Sequence, residues 1–114
     1  MPLLSIRTNV RLEAGEREKT LAEASRAVAD MLGKPESYVM VYLEDDASLS
    51  FAGSREPAAW LELKSLGLPE SETARFSQAL CALAQERLGV APSRTYIEFS
   101  SPARHMWGWD GRTF

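Results

Sequence analysis

Two stretches of this chain place apolar residues at the spacing of an amphipathic helix, and each stretch lies between two segments typical of β-strands. The apolar positions are Leu21, Ala24, Val28, Met31 and Leu32 in residues 16–32, and Phe76, Ala79, Leu80, Leu83 and Ala84 in the second stretch. Because each set recurs at intervals of three or four residues, it forms one face of a helix. Both faces need an apolar surface to cover them, and a β-sheet provides one.

Four segments rich in apolar, β-branched or aromatic residues are predicted to be strands. They are residues 2–10, 38–44, 57–66 and 94–99. Gly33, followed by Pro35, is expected to end the first helix, and Pro69 with the acidic residues after it marks the start of the second. Asp45 and Asp46 predict a turn after the second strand.

Residues 32–44 and 88–100 resemble each other, since both pass from a helix end through a turn containing proline to a strand. This similarity predicts an internal pseudo-repeat of residues 2–50 and 57–100. Two strand–helix–strand units give a mixed α/β domain of the α+β type, with a four-stranded sheet and two helices on one face. At 114 residues the chain has the size of one domain, so residues 1–114 are interpreted as a single domain.

The net charge of -3 and a pI near 5.2 argue against a nucleic-acid partner, because phosphate recognition requires a basic surface. No apolar run is long enough to span a bilayer, which argues against a membrane partner. The first ten residues lack the basic and long apolar regions of a signal peptide. A cytoplasmic protein is therefore expected.

Cys81 is the only cysteine, which excludes an intrachain disulfide and a Cys-x-x-Cys redox pair. It lies among alanine and leucine residues of the second helix, so a buried packing role is predicted for its side chain. His105 is the only histidine and is assigned a surface or structural role. Neither a metal site nor a cofactor is expected.

One face of the predicted sheet has no helix to cover it. In a small domain an exposed apolar face usually marks association, so an oligomer is expected. Residues 101–114 follow the second unit and carry two tryptophans and a phenylalanine among the last ten positions. This segment is predicted to be an interface arm or the wall of a pocket.

Six segments carry a resemblance to a known family: MPLLSIRTNV at the chain start, Gly33-Lys34-Pro35, Gly53-Ser54-Arg55-Glu56-Pro57, Ser65-Leu66-Gly67, Tyr96-Ile97, and the segment from Trp109 to Phe114. No single motif is decisive, but in this order and at these spacings the whole chain resembles the macrophage migration inhibitory factor family of the tautomerase superfamily. The resemblance implies a homotrimer with three active sites at the subunit interfaces. It also implies tautomerase activity on phenylpyruvate-like and dopachrome-like substrates.

The resemblance further implies that an amino-terminal proline, here Pro2, is the catalytic base. A tautomerase removes a proton next to a carbonyl and returns one at the other end, so it needs a base whose pKa lies near the working pH. The nitrogen of Pro2 becomes such a base only after Met1 is removed, because it is then a secondary amine. Apolar surroundings and the charge of Lys34 would lower the pKa of that amine.

Further site residues follow from the same resemblance. Lys34 matches a lysine that contacts the substrate carboxylate, and Ser65 and Leu66 match a segment whose backbone amide meets the substrate. Tyr96 matches a tyrosine that reaches the site from the neighbouring subunit. The aromatic part of the pocket is assigned to Tyr38, Trp107, Trp109 and Phe114, for which packing in the core or in an interface is the alternative.

Two positions depart from the family pattern. Some animal members of this family serve as cytokines, and Glu98 stands where a well-studied one has an asparagine that hydrogen-bonds the ring hydroxyl of a phenolic substrate. An ionised carboxylate cannot donate such a hydrogen bond. A carboxylate there also favours protonated Pro2, so weaker activity, or a different preference, is predicted on hydroxylated aromatic substrates. Ala58-Ala59-Trp60-Leu61 replaces a Cys-x-x-Cys pair, which excludes thiol–disulfide exchange.

Three functions remain open from the sequence. The first is an isomerase that tautomerises a 2-oxo acid. The second is a signalling or binding protein of the same fold with a vestigial pocket, although no residue pattern identifies a receptor. The third is dehalogenation or decarboxylation, for which Glu98 is the available polar group. Family members can leave cells without a signal peptide, so non-classical secretion is compatible with all three.

Overall fold

The computed structural model describes residues 1 to 114. Its main elements are β1 (Pro2–Thr8), α1 (Ala14–Leu32), β2 (Met40–Glu44), β3 (Ala59–Ser65), α2 (Thr73–Leu88) and β4 (Thr95–Ser100), followed by the short strands β5 (Gly108–Trp109) and β6 (Arg112–Thr113). The first six follow the predicted order of strand, helix, strand in each half. Neither α1 nor α2 combines the length and the apolar composition that a membrane-spanning helix needs.

The four long strands form one mixed sheet in the order β2-β1-β3-β4. Strands β1 and β2 are parallel, as are β3 and β4, and the two halves join through the antiparallel pair β1 and β3. Both helices pack on the same face of this sheet. The α+β fold with a four-stranded sheet and two helices on one face is thereby confirmed.

A single apolar core lies between the sheet and the helices. Alternate side chains of the two central strands point into it, as the pleat of a strand requires. Its most deeply buried members are Leu4, Ile6, Leu61 and Leu63 from the sheet and Val28, Phe76 and Leu80 from the helices. The periodicity of the two helices therefore identified the faces that are buried.

The opposite face of the sheet, here called the open face, is less apolar than the sequence pattern predicted. Met40, Tyr42 and Tyr96 are exposed on it. Charged residues alternate with these side chains, and Arg7 lies 3.6 Å from the carboxylate of Glu44. This face is therefore amphipathic, with apolar and ionised groups side by side.

All four strands differ from prediction by one or two residues at one or both ends, and for β1 and β2 the structure shows the local cause. β1 ends at Thr8 rather than at Val10, because the hydroxyl of Thr8 accepts the N–H of Val10 at 3.2 Å and turns the chain out of the sheet. β2 begins at Met40, because residues Glu36–Tyr38 form a 3-10 turn in which the N–H of Tyr38 donates to the carbonyl of Pro35 at 3.1 Å.

Some residues of the two helices lie outside the buried faces. The predicted burial of Cys81 is wrong, since its side chain is only partly buried. Leu80 and Ala84 occupy the centre of the buried face of α2, and Cys81 follows Leu80 by about 100° around the helix, at the margin of that face. Ala79 and Leu21 are exposed.

Candidate active site

A cleft of about 380 Å³ opens where the chain start, the turn after α1 and the hairpin of β5 and β6 meet. Its lining residues are Met1, Lys34, Pro35, Tyr38, Leu66, Gly67, Arg104, Trp109 and Phe114. Sites for small molecules have volumes of about 300 to 1,000 Å³ and combine an apolar wall with a few polar groups. The cleft has both properties and is the candidate active site.

Pro2 is the first residue of β1 and does not itself line the cleft, but it is bonded to Met1, which does. Pro2 pairs with Ser65 of β3 in the antiparallel register, and both side chains are fully buried. Ser65 faces the core side, where its hydroxyl donates to the carbonyl of Leu66 at 3.2 Å. Packing therefore fixes the ring of Pro2, while Met1, bonded to its nitrogen, occupies the cleft.

Lys34 reaches the cleft because α1 ends in a left-handed turn. Gly33 has a φ of +62°, which glycine adopts without steric cost, and the N–H of Lys34 donates to the carbonyl of Ala29 at 3.0 Å. The turn brings Lys34 and Pro35 to the edge of the sheet where β1 begins. A cation is therefore held beside the chain start by the end of a helix.

The pKa of the Met1 amino group is lowered from its ordinary value. The larger cause is burial, which removes water from the ammonium form, and the second is the positive charge of Lys34. Within one chain, no acidic side chain lines the cleft to oppose this effect. The environment at the chain start thus favours a neutral amine, the form that can accept a proton.

Three of the four predicted pocket aromatics line the cleft. The ring of Trp109 meets that of Tyr38 edge-on at 6.5 Å and stacks on that of Phe114 at 6.0 Å. The fourth, Trp107, does not line the cleft of the single chain, and its place in the site stays a prediction. It precedes the hairpin, and its backbone carbonyl accepts the N–H of Phe114 at 3.3 Å, which ties the segment together.

The hairpin of β5 and β6 was not predicted. Its two-residue turn, Asp110 and Gly111, has positive φ angles of 53° and 74°. An Asp-Gly pair between two short strands is a strong local signal for such a turn, so the sequence did contain the necessary information. The turn sets the orientation of Trp109, whose ring lies under the guanidinium of Arg112 at 5.1 Å.

Tyr96 and Glu98 do not line the cleft of their own chain. Both lie on β4 and point to the open face, where Tyr96 is 63% exposed and packs against the ring of Phe51 at 4.9 Å. Glu98 is aligned with Glu62 in the register of β3 and β4. Any part they take in catalysis requires another copy of the chain.

Arg104 lines the cleft and was missed by sequence reasoning. It begins the 3-10 turn Arg104–Met106, where its side chain is exposed, and His105 beside it is exposed as well. A single arginine in a connecting segment has no periodicity or spacing that would single it out. The chain contains no cluster of three His, Cys, Asp or Glu side chains arranged to bind a metal ion.

The fold and the cleft define a class of α+β proteins built from two strand–helix–strand units, with a small-molecule site at the chain start. The family model described as macrophage migration inhibitory factor matches residues 1–114. The macrophage migration inhibitory factor of Mus musculus is 33% identical over 115 residues, covering 100% of this chain and 99% of the mouse protein. The homolog from Trichinella spiralis is 35% identical and is covered completely, as is this chain.

A solved structure of the same family is also similar to this chain. The crystal structure of a macrophage migration inhibitory factor homologue from Prochlorococcus marinus has a TM-score of 0.92 and 37% identity to this chain, with 98% of each chain covered. The chain therefore belongs to the macrophage migration inhibitory factor family, and the resemblance in its sequence is confirmed. Membership of this family, which has the tautomerase fold, supports an isomerase-type enzyme in general terms.

Proposed function

We propose that this protein is a keto–enol tautomerase of phenylpyruvate-like 2-oxo acids, in which the amine of Pro2 acts as general base and general acid. The observation that carries the proposal is the position of the chain start. It lies in a cleft beside Lys34 and an aromatic wall, in surroundings that lower the pKa of an amino group.

Removal of Met1 is the step that creates the base. A small residue such as Pro2 after the initiator methionine is what methionine aminopeptidases accept. Met1 lines the cleft, so its loss leaves the nitrogen of Pro2 at the cleft wall as a secondary amine. The ring stays in place because its register with Ser65 is part of the sheet.

The remaining lining groups suit a 2-oxo acid with an aromatic ring. Lys34 would bind the carboxylate next to the oxo group as a point charge. Tyr38, Trp109 and Phe114 offer ring faces and edges to the aromatic group. The free amine of Pro2 removes a proton from the carbon next to the carbonyl and becomes an ammonium group, which donates a proton to the carbonyl oxygen to give the enol. The reverse steps take the proton from the enol oxygen and return one to the carbon.

The proposal includes a homotrimer in which Tyr96 and Glu98 of one subunit complete the cleft of its neighbour. Both side chains are exposed on β4, an edge strand whose outer side is unpaired within the chain. Light scattering should therefore give about three times the subunit mass of 12.7 kDa. A monomeric mass combined with full activity would exclude a site shared between subunits.

The test of the base compares the wild-type protein with a Pro2→Gly variant. Intact mass first confirms that both preparations lack Met1, and the conversion of phenylpyruvate between enol and keto forms is then followed. Because a positioned acid–base group contributes about 10² to 10⁴-fold, Pro2→Gly should lower kcat/KM by at least about a hundredfold. Pro92→Ala is the control, since Pro92 is exposed and lies away from the cleft.

An inactive wild-type protein of the correct mass would refute the proposal. The fold would then serve the second function considered from the sequence, that of a signalling or binding protein. Equal activity of the wild-type protein and Pro2→Gly would instead show that the proline ring is not required, because the variant still carries an amine at the chain start.

A further inference from the structure

We propose that Phe51 is a positioning residue, which holds the ring of Tyr96 in the orientation that the cleft of a neighbouring subunit needs. This inference rests on the proposed function, in which Tyr96 of one subunit completes the cleft of another. It assigns a part in the site to the segment that connects β2 to β3, residues 45–58. No residue of this segment lines the cleft of its own chain.

Tyr96 lies at the far end of the sheet from its own cleft. In the register of the sheet Tyr96 pairs with Trp60 of β3, whereas Pro2 pairs with Ser65. These two positions on β3 are five residues apart, which is about 17 Å at the rise of a strand. Tyr96 can therefore serve only the cleft of another subunit, and its orientation depends on contacts made away from its own cleft.

An aromatic contact holds the exposed ring of Tyr96. This ring meets that of Phe51 edge-on, with centroids 4.9 Å apart and an angle of 71° between the planes. The other aromatic pairs of the chain have centroids at least 6.0 Å apart. Edge-to-face pairs favour one relative orientation, because the positive edge of one ring faces the negative face of the other. Phe51 therefore restricts the rotamers of a side chain that is 63% exposed to solvent.

Phe51 is itself held in a tight turn. Its N–H donates to the carbonyl of Ser54 at 2.9 Å, and the N–H of Ser54 donates to the carbonyl of Phe51 at 3.0 Å. Between them, Ala52 and Gly53 have positive φ angles of 54° and 71°. A residue with a Cβ, such as Ala52, keeps a left-handed conformation only where its surroundings enforce it. The backbone of this turn thus fixes the direction in which the ring of Phe51 points.

Arg94 ties the turn to β4. Its guanidinium lies 5.2 Å from the centre of the Phe51 ring. It donates at 2.8 to 3.3 Å to three backbone carbonyls of the same segment, those of Ser54, Glu56 and Pro57. Because Arg94 precedes Tyr96 by two residues, the chain that carries Tyr96 also carries the cation that fixes its aromatic partner. Phe51 and Tyr96 therefore form one rigid unit.

The experiment is a double-mutant cycle of Phe51 and Tyr96 with phenylpyruvate as substrate. Phe51→Ala should raise KM about fivefold and leave kcat within about twofold, because the pair orients a group that binds substrate and does not transfer the proton. In a Tyr96→Ala background the same substitution should change KM by less than about twofold, since there is no ring left to orient. Phe51→Tyr keeps the ring and should restore KM, whereas Phe51→Leu should not.

Leu21→Ala is the control, since Leu21 is exposed on α1 and lies outside this segment. It should leave KM unchanged in both backgrounds. Light scattering and thermal unfolding show whether each variant assembles and folds, and Phe51→Leu, which keeps the apolar volume, replaces Phe51→Ala if the latter does not. An unchanged KM in the Phe51 variant would overturn the inference. An equal rise of KM in both backgrounds would also overturn it, because Phe51 would then act without Tyr96.

A spectroscopic titration separates this inference from the proposed function. In protein that contains 3-fluorotyrosine, the fluorine resonance of Tyr96 is the one that Tyr96→Phe removes. Phenylpyruvate should shift this resonance, and its apparent Kd should be about fivefold weaker in Phe51→Leu. That difference in an inactive protein would refute the tautomerase and keep the role of Phe51. An active enzyme in which Phe51→Leu changes neither KM nor the Kd would keep the tautomerase and refute the role of Phe51.

Discussion

The core and the cleft both adjoin strands β1 and β3, but their polar side chains differ. Those in the core are hydrogen-bonded within the chain, and two in the cleft are not. Every buried polar side-chain atom has a hydrogen-bond partner within the chain. Thr8 donates to the carbonyl of Ala58 at 2.8 Å, and Thr20 donates to that of Glu16 at 2.7 Å. In the cleft, Lys34 and Arg104 have no such partner.

This difference separates the residues that stabilise the fold from those available to a ligand. A polar group satisfied inside the chain contributes to the free energy of unfolding, whereas an unpaired one at a cleft remains free to bind a ligand. Substitutions in the core should therefore change stability most, and substitutions in the cleft should change catalysis most. Four variants test this separation.

Phe76→Ala should have the largest effect on stability. Phe76 is fully buried between the helices and the sheet, 6.4 Å from the ring of Phe99, and its truncation leaves a cavity. Such substitutions cost about 3 to 5 kcal/mol of unfolding free energy, which urea denaturation measures. Gln78→Ala, on the exposed side of the same helix, should stay within about 0.5 kcal/mol of the wild type. If Phe76→Ala lowers the unfolding free energy by less than about 0.5 kcal/mol, as an ordinary surface substitution does, the core described here is contradicted.

Lys34→Gln should affect catalysis and leave stability nearly unchanged. Loss of a charged contact worth about 1.5 to 3 kcal/mol lowers kcat/KM for phenylpyruvate by about tenfold or more. Lys19→Gln, on exposed α1, provides the comparison. If Lys34→Gln instead lowers the unfolding free energy and spares kcat/KM, the separation between core and cleft fails.

The pH profile of Lys34→Gln tests the electrostatic effect directly. Burial and, second, the charge of Lys34 lower the pKa of the Met1 amine. We expect the charge of Lys34 to act in the same way on the Pro2 amine of the processed protein, so Lys34→Gln should raise the pKa of that amine. The base is active only when unprotonated, and activity is therefore lost as the pH falls through its pKa. The acid limb of the kcat/KM profile should move to higher pH in the variant. An acid limb at the wild-type position would show that Lys34 does not act on the base.

Asp45→Asn tests a charged side chain outside the cleft that accepts hydrogen bonds within the chain. The carboxylate of Asp45 accepts the N–H of Leu12 at 2.8 Å and a guanidinium N–H of Arg17 at 3.1 Å. These contacts hold the pKa of Asp45 below its ordinary value, with the Leu12 hydrogen bond as the largest cause. The substitution should cost about 1 kcal/mol of unfolding free energy at neutral pH.

The sign of the pH dependence follows from the lowered pKa. The contribution of Asp45 is complete above the ordinary carboxyl pKa of about 3.9 and is lost as the pH falls through the lower value of the folded state. The difference in stability between Asp45→Asn and the wild type should therefore shrink in acid. Asp46→Asn is the neighbouring control, since Asp46 is exposed. A difference that grows on acidification would be inconsistent with this assignment.

Glu98→Asn should have the smallest effect, because it changes one hydrogen bond at the proposed site between subunits. An asparagine can donate to a ring hydroxyl where an ionised glutamate cannot. The ratio of kcat/KM for hydroxyphenylpyruvate to that for phenylpyruvate should rise about threefold, the value of one neutral hydrogen bond. An unchanged ratio would remove Glu98 from the site.

The sequence predicted the fold well because periodicity reports which face of an element is buried. Phe76, Leu80 and Leu83 recur at helical spacing, and their burial is what holds α2 on the sheet. The same reasoning assigned Cys81 to the core and was wrong, since composition does not distinguish the centre of a helix face from its margin. Burial at a margin depends on the neighbouring element.

The cleft was predicted through the family resemblance rather than through periodicity. Lys34, Leu66 and Trp109 line it as expected. Trp107 does not, because the hairpin sets the direction of each aromatic residue and was not predicted. Arg104 was missed because only the folded chain shows that this connecting segment returns to the start of β1.

The most direct test of the central claim changes only what precedes Pro2. Insertion of one alanine between Met1 and Pro2 converts the nitrogen of Pro2 into an amide and leaves every side chain of the cleft in the sequence. With processing confirmed by intact mass, this variant should fold normally and lose phenylpyruvate turnover by at least about a hundredfold. Wild-type activity in the inserted variant would contradict the assignment of the Pro2 amine as the catalytic base.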